Sequence, residues 1–404
     1  MRPARAHAPH KSVDPRSSGH DAGGMTTTST TSVAPTIVPL VVPPAGTDTA
    51  ATDQMWGVLG MLRVQRAYEE ATWGYDDFVE PPAVALALMH RREYSDRLTF
   101  LAVADGVTGE PEAVVAFADV VLPLKDNTHL AYLEVIVDPA RDVAALTTAL
   151  IAAGEQVARE RGRTTVMLWS ETPGELPAGD PAALEAPTGS GRIDGRNPMV
   201  AALRTSAYVL EQAERYSVLR LPVATELLDE HQSAAQDRAG ADYRLVTWRD
   251  RTPEERLEQF AALEQRMSTD VPHGDLEMEE AAWDADRVRY VDESIAAANR
   301  GYVLTAAEHV PTGTLVAFTQ LQYPRDRDGF AFQEDTLVMR EHRGHRLGML
   351  VKTENLRQLL EARPATARIH TWNAEENSYM LDINVALGFR PAGVVGAWQK
   401  KLRD

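Results

Sequence analysis

The chain carries two pairs of apolar runs, and a short turn separates the members of each pair. In the first pair, "LTFLAVAD" (98–105) and "VVAFADV" (114–120) flank the turn "GVTGEP". In the second, "GYVLTAAEH" (301–309) and "LVAFTQL" (315–321) flank "VPTG". Runs rich in β-branched and aromatic residues around glycine- and proline-containing turns are typical of antiparallel hairpins. The pattern therefore predicts one hairpin in each half of the chain.

The two hairpins belong to a longer internal repeat. The tripeptide "VAF" at 115–117 recurs at 316–318, and the helical patterns "VAALTTALIAAGEQVARE" and "LGMLVKTENLRQLLEA" follow further along each copy. An apolar strand with a tryptophan comes after each helix, with Trp169 in one copy and Trp372 in the other. A repeat of this length predicts two homologous α/β units in one chain.

The repeat and the local composition divide the chain into four segments. Residues 1–35 are rich in Ser, Thr, Ala, Pro and Gly, which predicts a disordered tail. The two units are expected at 36–223 and 241–404, with a polar linker at 224–240. The first unit contains an extra proline- and glycine-rich segment, 173–194, which predicts a loop.

Composition and charge restrict the partners. The formal net charge of −18 argues against general affinity for nucleic acid or an anionic membrane, so any anion site must be local. The absence of cysteine excludes disulfides, thiolate–zinc sites and cysteine nucleophiles. The apolar run "IVPLVVPP" at 37–44 is too short and proline-rich for a signal or a membrane span, so we expect a cytoplasmic protein.

One basic turn stands out in the second unit, at "VMREHRGHRLG" (338–348). It follows a predicted strand and precedes a predicted helix, whose first N–H groups and dipole favour an anion. Gly344 and Gly348 allow close approach of the backbone, and Arg340, Arg343 and Arg346 offer donors suited to phosphate. The turn alone is also compatible with an ordinary solvated surface turn.

The same stretch resembles the pyrophosphate-binding motif of the GNAT acyltransferases, and "TWNAEENSYMLDINVALGF" (371–389) resembles the second motif of that family. Two such units resemble tandem GNAT proteins of the mycothiol synthase type. The resemblance implies two GNAT-like domains, each a mixed, mainly antiparallel sheet flanked by helices. It also implies that acetyl-CoA is bound by Leu337, Val338, Met339, Arg343, Gly344, His345, Arg346, Leu347, Gly348, Met349, Asn373 and Asn377.

The catalytic residues that the resemblance implies include one departure from the family. Asn384 stands where the family usually has a tyrosine that protonates the leaving thiolate, and asparagine cannot give up a proton usefully. Tyr379 lies about 140° away around the helix and is a poor substitute. Glu334 and Asp335 are equal candidates for the base, and strand alternation is expected to place them on opposite faces.

The first unit lacks the basic turn. Asp142, Val143, Ala145 and Thr147 stand where the second unit has Arg343, Gly344, Arg346 and Gly348, so only the second unit is expected to bind acetyl-CoA. His273 and Asp275 lie in a segment (267–283) that suits either an amine-binding loop or an ordinary polar loop. His342 and His345 lack a suitably spaced third ligand, so we expect no metal.

Three functions remain open from the sequence. The first is transfer of an acetyl group from acetyl-CoA to a primary amine of a small molecule. The second takes the acyl group from aminoacyl-tRNA or a carrier protein, in which case Arg340, Arg343, Arg346 and Lys352 would meet a larger polyanion. The third is non-catalytic CoA binding. Nucleic acid is otherwise not expected as a partner, and either a monomer or a homodimer fits.

Overall fold

The computed structural model describes residues 35–270 and 272–402. Positions 1–34 of the expected tail lie outside them. The N-terminal half contains helices and strands in the order β1 (Thr36–Pro39), α1 (Thr52–Trp73), α2 (Pro82–Met89), β2 (Ser95–Val103), β3 (Val114–Pro123), β4 (Leu130–Val137), α3 (Val143–Glu160), β5 (Thr165–Thr172), β6 (Ala183–Glu185), β7 (Arg192–Asp194), α4 (Pro198–Thr205) and β8 (Val209–Arg220).

The C-terminal half repeats this order, with helix α5 added at its start and without the small β6–β7 ribbon. It contains α5 (Thr225–Ala239), β9 (Tyr243–Arg249), α6 (Leu257–Asp270), α7 (Ala285–Ala297), β10 (Arg300–His309), β11 (Thr314–Pro324), β12 (Phe330–Val338), α8 (Leu347–Ala362), β13 (Arg368–Ala374), α9 (Ser378–Leu387) and β14 (Arg390–Lys401). Both expected hairpins, β2–β3 and β10–β11, are antiparallel pairs.

One sheet runs through both halves. Its order is β1-β2-β3-β4-β5-β14-β8-β13-β12-β11-β10-β9, twelve strands among the described residues. The β4–β5 and β12–β13 pairs are parallel and all other neighbours are antiparallel. The expected α/β class with two mainly antiparallel units is therefore confirmed.

The last strand of each half is inserted into the other half. β14 pairs with β5 of the N-terminal half, and β8 pairs with β13 of the C-terminal half. The two exchanged strands also pair with each other at the centre of the sheet. Each half therefore depends on the other to complete its hydrogen-bonded ladder.

In each half, the segment that connects its two successive helices packs against the other half. Between α1 and α2, Asp77 and Phe78 lie against His370 and Phe332 of the C-terminal half. Between α6 and α7, Leu276 and Met278 pack in a cluster with residues of β4 and β5. Apolar burial at both crossings thus joins the halves on one face of the sheet.

Two segments differ from the sequence-based expectation. The expected linker 224–240 contains helix α5, whose Leu228, Ala235 and Ala239 are buried against the core of the C-terminal half. The segment 173–194, expected to be a loop, includes the two-stranded ribbon β6–β7. Both are short amphipathic or turn-rich stretches whose structure depends on distant packing partners.

No helix within residues 35–270 or 272–402 is both long and apolar enough to cross a membrane.

Candidate active site

The basic turn lies between the end of β12 and the start of α8. A short 3₁₀ helix, Arg340–His342, leads into Gly344, whose φ is +87°. Arg346 precedes α8 with φ +57° and ψ +23°, so an arginine adopts the left-handed conformation that usually favours glycine. No side chain caps α8, which leaves its first N–H groups available to an anion.

The arginines of the turn differ in their contacts. Arg343 donates from Nε to the Val338 carbonyl at 3.2 Å and forms an ion pair with Asp270, also at 3.2 Å. Arg340 lies 3.9 Å from the same carboxylate. Arg346 is exposed at the open end of α8. Arg343 therefore holds the turn in shape, while the Arg346 side chain is exposed beside the uncapped N–H groups of α8.

The corresponding helix end in the N-terminal half is closed. Asp142 caps α3, and its carboxylate accepts a hydrogen bond from the Ala145 N–H at 3.0 Å. A carboxylate already occupies the place where a phosphate oxygen would bind, and its charge repels anions. That only the C-terminal half binds a pyrophosphate therefore stays a prediction, and the Asp142 cap supports it.

Gly348 brings α8 close to its neighbours. A Cβ added there would lie 3.0 Å from Ile383 of α9 and 3.7 Å from Val338. Its role in the structure is close packing of α8 against α9. Of the other residues implied in acetyl-CoA binding, Leu347, Met349 and Leu337 have buried side chains, whereas Val338, Met339 and His345 are half-buried.

β12 and β13 separate beside the turn. Their ladder covers only 330–332 and 368–370, and we call the stretches of the two strands beyond it the splay. Asn373 continues β13 along the splay, and Asn377 caps α9 by accepting from the Met380 N–H at 3.4 Å. Asn377 therefore has a structural role in addition to any contact with a ligand.

The side-chain amide of Asn384 is not oriented to donate a proton to a ligand. It is 1% exposed, and its amide nitrogen donates to the Asn373 side-chain oxygen at 2.6 Å. Its own oxygen has no partner among the described residues and can only accept a hydrogen bond. Tyr379, the alternative, is 86% exposed. This orientation disfavours Asn384 as a proton donor to a thiolate.

A β-bulge places Glu334 and Asp335 on one face. Thr319 pairs with Thr336 and Leu321 with Gln333, so two residues of β12 stand opposite Gln320 alone. Gln333 and Thr336 both contact the Thr319 hydroxyl, and the two acids between them share the opposite face. The expectation of opposite faces is wrong because it assumed unbroken alternation.

Helix α6 packs against β12, and the charge of Asp335 acts on Glu264 of that helix. Burial and the negative charge of Asp335 raise the pKa of Glu264, and burial raises the pKa of Asp335. Burial and the charge of Asp335 raise the pKa of Glu334 to about 7, an effect that Arg300 partly offsets. We call Glu264, Glu334 and Asp335 the carboxyl cluster. At neutral pH one of its members can accept a proton.

His273 and Asp275 lie between the two halves. The preceding Pro272 carbonyl accepts from Gln212 of β8, and the Asp275 carbonyl accepts from Gln399 of β14 at 3.4 Å. The Asp275 side chain is exposed and its charge acts on Glu211, while His273 is half-buried. These contacts are with the central strands rather than with the carboxyl cluster.

Other basic groups near the turn have their own neighbours. His342 is hydrogen-bonded to the Tyr243 hydroxyl at 2.9 Å, and His345 lies with its ring 5.2 Å from the same tyrosine. Within the described ranges no group of three or more His, Asp or Glu could hold a metal ion. Lys352 is buried on α8, and desolvation lowers its pKa to about 7.

Three solved structures share this architecture. A tandem GNAT protein from the clavulanic acid biosynthesis pathway matches with a TM-score of 0.65 and 24% identity, covering 91% of this chain and 99% of that chain. A GCN5-related N-acetyltransferase from Sphaerobacter thermophilus matches with a TM-score of 0.54 and 13% identity, covering 86% and 94%. The third is a fungal multi-domain GH3 β-N-acetylglucosaminidase with a GCN5-related glucosamine N-acetyltransferase region. It matches with a TM-score of 0.53 and 12% identity, covering 91% of this chain and 38% of that chain.

The chain therefore has the tandem GNAT fold, as the repeat and the two motifs indicated. Neither a protein-family model nor a curated protein matches the sequence. At these identities the likeness concerns the fold, and the chemistry of the site must be argued from its own residues.

Sequence reasoning missed Glu264, Asp270 and the bulge. One signal for the bulge was present, because "LAYLEVIV" (130–137) has eight residues where "FAFQEDTLV" (330–338) has nine. Nothing local marks Glu264 or Asp270, since their roles depend on where α6 packs.

Proposed function

We propose that the protein is an acyl-CoA-dependent N-acyltransferase that acetylates a primary amine of a small molecule. The observation that carries this proposal is the uncapped start of α8, which follows the strand bearing the bulge and adjoins the splay. An anion-binding helix end, a slot for an extended chain and a nearby base are the parts this reaction needs.

The proposed reaction is direct attack without a covalent enzyme intermediate. Glu334 or Asp335 accepts one proton from the acceptor ammonium, and the nitrogen lone pair attacks the thioester carbonyl carbon. The C–N bond forms, the C–S bond breaks and CoA leaves as a thiolate. The nitrogen loses a second proton, which reaches the thiolate through water because the Asn384 amide nitrogen is engaged by Asn373. The base then returns its proton to solvent.

The other two candidates receive less support. A larger polyanion would need accessible cations, but Lys352 is buried and Arg343 is paired with Asp270. The orientation of Asn384 favours a non-catalytic CoA-binding protein, whereas the raised pKa of Glu334 favours a catalytic one.

Two measurements on the full chain test the proposal. Acetyl-CoA should raise the melting temperature, and CoA thiol should be released with at least one member of a panel of primary amines. Stabilisation without release from any amine would support the non-catalytic candidate. The absence of stabilisation by acetyl-CoA would remove the proposed cofactor.

A further inference from the structure

The carboxyl cluster contains more acidic residues than a single general base requires. Direct attack by an amine needs a single proton acceptor, yet Glu334 and Asp335 share one face of β12, and α6, which carries Glu264, packs against that strand. Glu264 is only 9% exposed, and among residues 35–270 and 272–402 none of the three carboxyls has a hydrogen-bonded or ion-paired cation. A buried acid without a cationic partner tends to stay protonated, and a bound cation would let it ionise, so this arrangement points to a cationic ligand.

The equivalent strand position in the N-terminal half is different. There Glu134 stands opposite Asp119 in an unbroken register, one residue against one. In the C-terminal half the bulge puts Glu334 and Asp335 together opposite Gln320. The extra residue thus adds a second acid to the side that faces α6. Bulges that re-aim side chains are common beside functional sites.

Two arginines lower the pKa of acids in the cluster, but each is paired with an acid of the N-terminal half. Arg300 lowers the pKa of Glu334, yet it donates to Glu80 at 2.5 Å and lies over the Phe332 ring at 4.8 Å. Arg287 lowers the pKa of Glu264 and is ion-paired with Asp126. The acids of the N-terminal half therefore limit how far both arginines can neutralise the cluster.

We infer that the acceptor is a small molecule with two cationic groups, of which one is the primary amine that is acylated. One carboxylate accepts the proton from the reacting ammonium, and the rest of the carboxyl cluster binds the second cation. This inference rests on the proposed function, because it names the acceptor class of the same site. It also gives Glu80 and Asp126 a positioning role in substrate choice.

Matched acceptors test the inference directly. Each of 1,3-diaminopropane, 1,4-diaminobutane, 1,5-diaminopentane and 1,6-diaminohexane is compared with the monoamine of the same chain length, using acetyl-CoA and thiol release by the full chain. We expect at least one diamine to exceed its monoamine in kcat/KM by at least about tenfold, since two opposite charges attract strongly at a partly buried site. Equal kcat/KM within every pair would overturn the inference and leave the proposed function standing.

Variants separate binding of the second charge from chemistry. Glu264→Gln should lower the ratio of diamine to monoamine kcat/KM by about tenfold, mainly through KM. Glu80→Gln frees Arg300 to neutralise Glu334 and should lower the same ratio. Glu258→Gln makes the same charge change at an exposed position of α6 and serves as the control. A ratio unchanged in both Glu264→Gln and Glu80→Gln would contradict the assignment.

Binding is also measured without turnover, so that failure of the two proposals can be distinguished. Calorimetric titration of the same diamines and monoamines into the full chain should show tighter binding of a diamine. At pH 7 that binding should release protons, seen as a dependence of the heat on the buffer, because a bound cation lowers the raised pKa of Glu334. If no diamine binds more tightly than its monoamine, the inference fails even where no amine is acylated.

Discussion

Arg346 has both an unfavourable backbone conformation and a positive charge. A residue other than glycine in the left-handed conformation costs about 1 kcal/mol, and this arginine has φ +57° at the N-terminus of α8. The cost is tolerated in a position where the guanidinium is exposed beside uncapped N–H groups. We propose that its role is a phosphate contact, which fits both features.

Two substitutions separate these effects. Arg346→Glu should weaken acetyl-CoA binding more than tenfold, because a charge-assisted contact of roughly 1.5–3 kcal/mol is replaced by repulsion. Arg346→Gly removes the charge and the backbone strain of the left-handed conformation. This variant should therefore bind acetyl-CoA more weakly but melt at a higher temperature. Calorimetry and thermal melting measure the two quantities. Unchanged affinity in a folded Arg346→Glu protein would remove this residue from the site.

The bulge leaves both acids as candidates for the base. Replacing the true base by its amide should lower kcat by about 10²–10⁴ while acetyl-CoA affinity is retained. Glu334→Gln and Asp335→Asn are the two variants, with turnover and calorimetry measured on each. Full turnover in both would show that the base lies elsewhere or that the amine arrives already neutral.

The pH dependence follows from the pKa of Glu334, which is raised to about 7. A base works only when unprotonated, so kcat/KM should fall as the pH drops below about 7 and level off above it. The acceptor amine loses its proton at higher pH and contributes a separate rise. Comparing the profiles of the native protein and Glu334→Gln isolates the inflection near 7, and its persistence in the variant would assign it to another group.

At the scale of elements, the starts of α3 and α8 lead us to expect a single anion site. α3 begins at a side-chain cap, Asp142, whereas α8 begins without one and packs closely on α9 through Gly348. The same fold position is therefore closed to an anion in one half and open in the other.

Titration of acetyl-CoA into the full chain should give one site. Gly348→Thr should reduce binding towards none, since a β-branched side chain would press on Ile383 and displace the start of α8. Asp142→Ala is the complementary change, and it should cost about 1 kcal/mol of stability without creating a second site. A stoichiometry near two in the native protein would show that the N-terminal half also binds.

For the molecule as a whole, exchanged strands and a buried network join the halves. Asp77 accepts both from Arg368, at 2.6 and 2.7 Å, and from His370 Nε2 at 3.3 Å. Since Asp77 is held ionised by these partners, His370 Nδ1 is left to accept from the Tyr216 hydroxyl at 2.9 Å. The chain from Asp77 to Tyr216 thus links the α1–α2 connection to β13 and to the exchanged strand β8.

Unfolding should therefore be a single cooperative transition rather than two. Asp77→Ala leaves Arg368 without its partner in a largely buried site and should lower the free energy of unfolding by about 3 kcal/mol. Denaturation followed by both fluorescence and circular dichroism would measure the change. Two separated transitions in the native protein would mean that the halves unfold independently despite the exchange.

The sequence alone determined the tandem α/β architecture, the position of the basic turn and its loss from the first unit. These features are local, because apolar periodicity, turn residues and the charge of a helix end are set by neighbours in the chain. For that reason Arg343, Gly344 and Arg346 could be assigned from the sequence to the turn that precedes one helix, and they lie in the turn that precedes α8.

Only the tertiary structure decided which strands are exchanged, that α5 occupies the expected linker, and that the helix carrying Glu264 packs against the strand carrying Glu334 and Asp335. Each depends on contacts between segments far apart in the chain, which local patterns do not encode. Alternation assigns faces only while the register is unbroken, and a single extra residue in β12 moved one acid to the other side. The packing of one half against the other likewise sets the ion pairs of Arg287 with Asp126 and of Arg300 with Glu80.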